Sequence, residues 1–182
     1  LINRKTSDAY GMTYESDVVA AMQWVYNNKA TYNIRVVNLS MNSTVAQSYH
    51  TSPLCAAVEI LWFNGIVVVA SAGNNGSATL YPPANDPFVI TVGAADDKNT
   101  VSISDDTIAS FSAYGVDEAG QAKPDLVAPG KNLIAYLPDN AQLSISVAHP
   151  ENRVDANYFR MSGTSMAAPI VAGAAALLLQ DE

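Results

Sequence analysis

The stretch SPLCAAVEILWFNGIVVVASAG (Ser52 to Gly73) constrains the fold more than any other part of the chain. Ser52 can cap a helix, Pro53 fits the first turn, where its missing N–H costs nothing, and Gly65 stands just past the end. Leu54, Ala57, Val58, Leu61 and Trp62 recur at helical spacing and predict the inward stripe. Ile66 to Gly73 then runs apolar without alternation until glycine closes it. That is the pattern of a strand buried on both faces of a parallel sheet, and such a sheet needs helices over both faces.

The same alternation extends along the chain. Val18, Val19, Met22, Val25 and Tyr26 fall on one face of a helix between Ser16 and Lys29, with Ser16 or Asp17 able to cap it. NIRVVNLS (Asn33 to Ser40), FVITVGAA and DLVAPG predict three more strands. The implied fold class is α/β, a three-layer parallel sheet covered by helices and joined by right-handed crossovers. The 182 residues are 49% hydrophobic and 14% charged, enough apolar material for one domain with a real core. The net charge of −8 comes from scattered acids without a basic stripe, which argues against nucleic acid as a partner. Met166 to Leu179 is too short and too rich in Gly, Ala and Pro to span a bilayer. It predicts instead a helix buried all round, with Gly173 on a packed face. Cys55, the single cysteine, reads as a small buried hydrophobe.

In open parallel sheets, ligands bind beyond the C-terminal ends of the strands. Three unusual loops fall there: NLSMN (Asn38 to Asn42), SAGNNG (Ser71 to Gly76) and APG (Ala128 to Gly130). Ser165 opens the last helix, in MSGTSMAAP. A serine hydroxyl is a poor nucleophile until a base takes its proton and donors face the charge that develops on the attacked carbonyl oxygen. A helix start offers unpaired N–H groups, and an amide side chain such as Asn74 offers a second donor.

GTSMAAP (Gly163 to Pro169), followed by VAGAAALL, resembles the nucleophile motif of the subtilisin-like serine proteases, the subtilases. VVVASAGNNG resembles the family's oxyanion segment, NLSMN its substrate-binding strand and KPDLVAPG the turn before the nucleophile. The resemblance implies a subtilisin-like fold, Ser165 as nucleophile and Asn74 as oxyanion donor. It places Ser40, Met41 and Asn42 on one side of a peptide or protein substrate and Ser71, Ala72 and Gly73 on the other. It also implies an extracellular location and allows structural calcium in the parent protein, although no cofactor is evident and no ligand cluster is specific enough to place a metal. Asn42 stands where subtilases often have glycine, and Ile170 where many have histidine. LYPPANDP resembles the tyrosine-proline segment near the specificity pocket, with Tyr81–Pro82 as a candidate cis bond.

The family's base sits in a His-Gly-Thr-His motif and its orienting carboxylate in an Asp-Ser/Thr-Gly motif. Neither occurs in these 182 residues. His50 and His149 read as solvated histidines, the latter on a long surface excursion from Lys131 to Arg160, and Asp17 and Asp125 as cap and strand-entry residues. The resemblance therefore implies the C-terminal portion of a catalytic domain, inactive as a peptidase when isolated. The alternative is a non-catalytic peptide-binding or scaffold module derived from a subtilase. Without neighbouring strands, the strand at Ile34 to Leu39 becomes an open edge exposing Val36, Val37 and Leu39. Self-association of the fragment follows, unless Leu1 to Thr13 fold over that edge.

Overall fold

A computed structural model describes residues 1–8, 10–137 and 144–180. The elements run α1 (Glu15–Tyr32), β1 (Val36–Leu39), α2 (Pro53–Phe63), β2 (Val67–Ser71), β3 (Ile90–Asp96), β4 (Thr107–Ile108), β5 (Gly115–Val116), β6 (Ala122–Lys123), β7 (Leu126–Pro129), β8 (Leu133–Tyr136), α3 (Ser144–Ala148), β9 (Tyr158–Met161) and α4 (Thr164–Gln180). Strands β1, β2, β3 and β7 lie side by side and parallel, with β4 antiparallel against the end of β3. Val36 faces Val67, Val69 faces Ile90 and Val92 faces Leu126 across the ladders.

Alternation along β2 splits the core into two layers. Val68 and Ala70 point to a cluster with Val18, Met22 and Val25 of α1 and Leu54, Val58 and Leu61 of α2. Val69 points the other way, to Val92, Ala94, Ala128 and the Ala167, Ala168 and Ala172 surface of α4. Each fully buried valine or leucine stabilises the fold by about 1.5–3 kcal/mol. The alanines on α4 let its backbone lie close against all four parallel strands.

The helix-to-strand unit forms as its sequence dictates: the Ser52 hydroxyl accepts the Cys55 N–H at 3.3 Å, Pro53 opens α2, and Gly65 takes a left-handed φ of 78°. Cys55 is buried. Five expectations are corrected, the last of them the exposure of β1. Trp62 turns partly outward, 37% exposed, because the inner face of α2 is filled by Leu54, Cys55, Ala57, Val58 and Leu61. Helix α1 begins two or three residues earlier than a Ser16 or Asp17 cap requires; Tyr14 occupies the cap without a side-chain hydrogen bond, while Glu15 and Asp17 face the positive end of the helix dipole. Among the described residues the cis bonds are Pro82–Pro83 and Lys123–Pro124, and Tyr81–Pro82 is not one of them.

The fourth correction concerns burial of α4 away from its alanine face. Ile170, Leu177 and Leu178 are exposed, and a Cβ added at Gly173 would meet nothing within 4 Å. No described element covers that side of the helix. On β1, Leu39 is buried and Val36 and Val37 are half-buried, so the exposed apolar surface lies on α4 and not on the strand. The stretch from Lys131 to Arg160, read as a surface excursion, carries the β8–β9 hairpin, which pairs Leu133 with Met161 and returns the chain to the turn before Ser165. Its residues 138–143 lie outside those described. No helix among the described residues is long and apolar enough to cross a membrane.

Candidate active site

The loops that leave β1 and β2 meet the first turn of α4. Ser165, the second residue of that helix, donates its hydroxyl to the Ser40 carbonyl at 3.2 Å, and the Ser40 hydroxyl donates to the Ser165 carbonyl at 2.8 Å. Asn42 Nδ2 donates to the Ser71 carbonyl at 2.8 Å, and the Ser71 hydroxyl returns a bond to Asn42 Oδ1 at 3.3 Å. Two reciprocal pairs thus hold the loop after β1, one against α4 and one against the end of β2. Met41, partly buried, packs against the apolar layer of α1 and α2. Ala72 is buried, with its N–H on the Val92 carbonyl at 2.9 Å.

Thr164 links the β2 loop to the helix start. Its hydroxyl, fully buried, accepts the Gly73 N–H at 3.1 Å and donates to Asn74 Oδ1 at 3.0 Å. The Thr164 N–H donates to the same Oδ1 at 2.9 Å. With two donors on its oxygen, the Asn74 amide has one orientation, and Nδ2 is the end turned toward other acceptors. Gly73 has φ 108°, in the left-handed region where a side chain is strained. The Ser165 N–H lies in the first helical turn, where no acceptor exists within the helix. The Thr164 bonds therefore bring Asn74 to the start of α4, next in sequence to the Ser165 hydroxyl and N–H. Thr164 has no assigned role in the sequence reading, yet it fixes Asn74; the signal was a hydroxyl residue directly before the serine.

The histidines lie elsewhere. The His50 ring packs on Tyr49 and stands 4.0 Å from Glu118, and His149 Nδ1 is 3.1 Å from Glu151 Oε1. Neither is a hydrogen-bond partner of the Ser165 hydroxyl. Asp125 Oδ2 accepts the Thr91 N–H at 2.7 Å and Lys123 Nζ at 2.8 Å, a strand-entry role, and Asp17 stays in the first turn of α1. Among the described residues no group of three or more His, Cys, Asp or Glu side chains is arranged to hold a metal ion.

A family model described as the subtilase family, Peptidase_S8, matches residues 4–182. Serine protease AprX of Bacillus subtilis is 42% identical over the whole of this chain and 42% of its own length. Subtilisin Savinase of Lederbergia lenta is 33% identical over 97% of this chain and 52% of its own. Among solved structures, the prenylagaramide maturation protease PagA superposes with a TM-score of 0.69 at 27% identity, covering 96% of this chain and 52% of that one. The self-cleaved protease domain of PatA gives 0.67 at 28%, covering 96% and 55%. The chain spans about half or less of the length of these relatives. With its fold, its motifs and nearly its whole length matched, the chain belongs to the subtilase family of serine proteases.

Proposed function

We propose that this chain carries the nucleophile and oxyanion half of a serine endopeptidase site, and that the base and its orienting carboxylate are supplied by chain outside these 182 residues. The observation that carries the proposal is the Asn74 amide, held through its oxygen by the N–H and hydroxyl of Thr164, the residue directly before Ser165. Ser165 Oγ attacks the substrate's carbonyl carbon while the base takes its proton. Negative charge gathers on the carbonyl oxygen, where Asn74 Nδ2 and the Ser165 N–H donate to it. As the tetrahedral adduct collapses, the C–N bond breaks and the amine leaves with that proton. The acyl group stays on Ser165 until water removes it. Ser40, Met41 and Asn42 on one wall and Ser71, Ala72 and Gly73 on the other flank the extended peptide.

The isolated chain, without a base at Ser165 Oγ, is inactive as a peptidase, and its substrate, a peptide or protein, is met outside the cell. A non-catalytic binding module would have no use for an amide oriented by a buried hydroxyl. The proposal includes self-association of the isolated chain. Strand β1 pairs only with β2 among the described residues, and a groove of about 890 Å³ opens beside it, walled by α1 and by Pro169, Ala172 and Gly173 of α4. The amino-terminal residues border this groove, with Arg4 over the Trp24 ring at 4.4 Å, but form no ladder on β1. Hydrolysis of a chromogenic peptide by the parent protein and its Ser165→Ala variant tests the catalytic proposal. Loss of turnover in the variant supports it, and full turnover in the variant overturns it.

A further inference from the structure

Asp96, the last residue of β3, is nearly buried, its side chain 7% exposed, yet two ammonium groups close on one of its oxygens. Lys98 Nζ reaches Oδ2 at 2.7 Å and Lys131 Nζ at 2.6 Å. The paired charges hold the Asp96 carboxyl well below the usual carboxylate range. Lys98 is only two residues away and ties the carboxylate to its own loop. Lys131 comes from the neighbouring strand, directly after the APG turn that ends β7.

That turn is the seat of the nucleophile loop. The Gly130 N–H donates to the Ala95 carbonyl at 3.0 Å, and the Gly130 carbonyl accepts the Gly163 N–H at 2.8 Å. On the other side of Lys131, the Asn132 N–H donates to the Ser162 hydroxyl at 2.9 Å. Gly130 is wedged between β3 and the Gly163 loop: a Cβ there would stand 2.6 Å from Ala94 Cβ and 3.0 Å from the Gly163 carbonyl oxygen. Lys131 is thus flanked by two residues that grip Ser162 and Gly163, and its own side chain anchors the turn to the sheet. Because interiors transmit small displacements with little give, a shift of this turn reaches Ser165 two residues beyond Gly163.

We infer that Lys131, anchored on Asp96, is a positioning residue for Ser165: it fixes the Gly130–Asn132 turn on which the Ser162–Gly163 loop rests. The inference builds on the proposed role of Ser165, and the geometry of the turn stands apart from that role. Lys98 shares the carboxylate without touching the turn, which makes it the control.

The test uses the parent protein in four forms: wild type, Lys131→Met, Lys131→Arg and Lys98→Met. Backbone hydrogen exchange over the segment containing Gly163 and Thr164 is read beside kcat, KM and the rate at which a fluorophosphonate labels Ser165. In Lys131→Met, exchange at that segment rises at least about tenfold, and kcat and the labelling rate fall by a similar factor while KM holds within about twofold. Lys131→Arg restores both, and Lys98→Met stays at wild-type values. Wild-type exchange and kcat in Lys131→Met overturn the inference. So does a Lys98→Met variant that matches Lys131→Met, since the pair would then act only as general stabilisation. A wild-type parent whose Ser165 is never labelled, with the exchange effect intact, overturns the nucleophile proposal and leaves the anchoring of the turn supported.

Discussion

Ser40 and Ser165, 125 residues apart in sequence, exchange hydrogen bonds: each hydroxyl donates to the other's carbonyl, at 2.8 Å from Ser40 and 3.2 Å from Ser165. The pair ties the loop after β1 to the start of α4. In this chain the Ser165 proton rests on a carbonyl, an acceptor that cannot carry it away.

Ser40→Ala removes the shorter of these bonds and leaves the Asn38 amide without its partner at 3.0 Å. A loss of about 1 kcal/mol in stability is expected, since a typical intramolecular hydrogen bond contributes about 0.5–1.5 kcal/mol net. Urea unfolding with an unchanged m-value measures it, and an unmoved midpoint contradicts a structural role for the pair.

In the parent protein, Asn74→Ala should lower kcat by about 10² to 10³ with little change in KM, the range found for loss of such a donor in a subtilisin, a member of the same family. Thr164→Val should follow in the same direction. It deletes the hydroxyl that orients Asn74 and leaves the Gly73 N–H unpaired. Steady-state kinetics of the two variants check both; a Thr164→Val enzyme with wild-type kcat would detach Asn74 from its proposed anchor.

Gly130 and Gly173 have opposite expectations. Gly130→Ala forces a methyl against Ala94 and the Gly163 carbonyl and should cost at least about 1–3 kcal/mol by overpacking. Gly173→Ala places a methyl where nothing lies within 4 Å, and in a helix interior it should stabilise the isolated chain by about 0.5–1 kcal/mol. Thermal unfolding of both variants decides; a raised melting temperature for Gly130→Ala would remove the wedge.

Stability should fall as pH rises from about 4 to 6. Burial pushes the Asp86 carboxyl up to about 6, opposed by the Phe88 N–H and aided by Glu59, while Oδ2 is buried with no hydrogen-bond partner. The folded state then holds its proton more tightly than the unfolded chain, whose Asp titrates near 3.9, so the stabilisation is complete below that value and lost above about 6. The difference is on the order of 2–3 kcal/mol. Asp96, held low, changes charge only below this window. Urea midpoints across pH 4 to 7 should decline for the wild type and stay flatter for Asp86→Asn.

Much of this arrangement is legible in the sequence because it rests on local rules. Ser52, Pro53 and Gly65 bound α2 by capping and turn chemistry, and the unbroken apolar run after Gly65 marks β2 as a central strand. GTSMAAP places Ser165 at a helix start, and the order of the loops puts Ser40 and Asn74 near it. What escapes depends on partners far along the chain. The outward turn of Leu177 and Leu178 depends on which elements cover α4, and periodicity carries no record of that. Met41 packs against the layer of α1 and α2, a contact set by elements distant in sequence. Lys131 on Asp96 is one lysine among several until the sheet brings β3 and β7 together.

Fluorophosphonate labelling of the parent protein, followed by mapping of the modified peptide, tests the central claim most directly. The account predicts a single stoichiometric adduct on Ser165, absent in Ser165→Ala and strongly slowed in Asn74→Ala. An adduct on another residue, or a parent that hydrolyses peptides with Ser165 unlabelled, would contradict it.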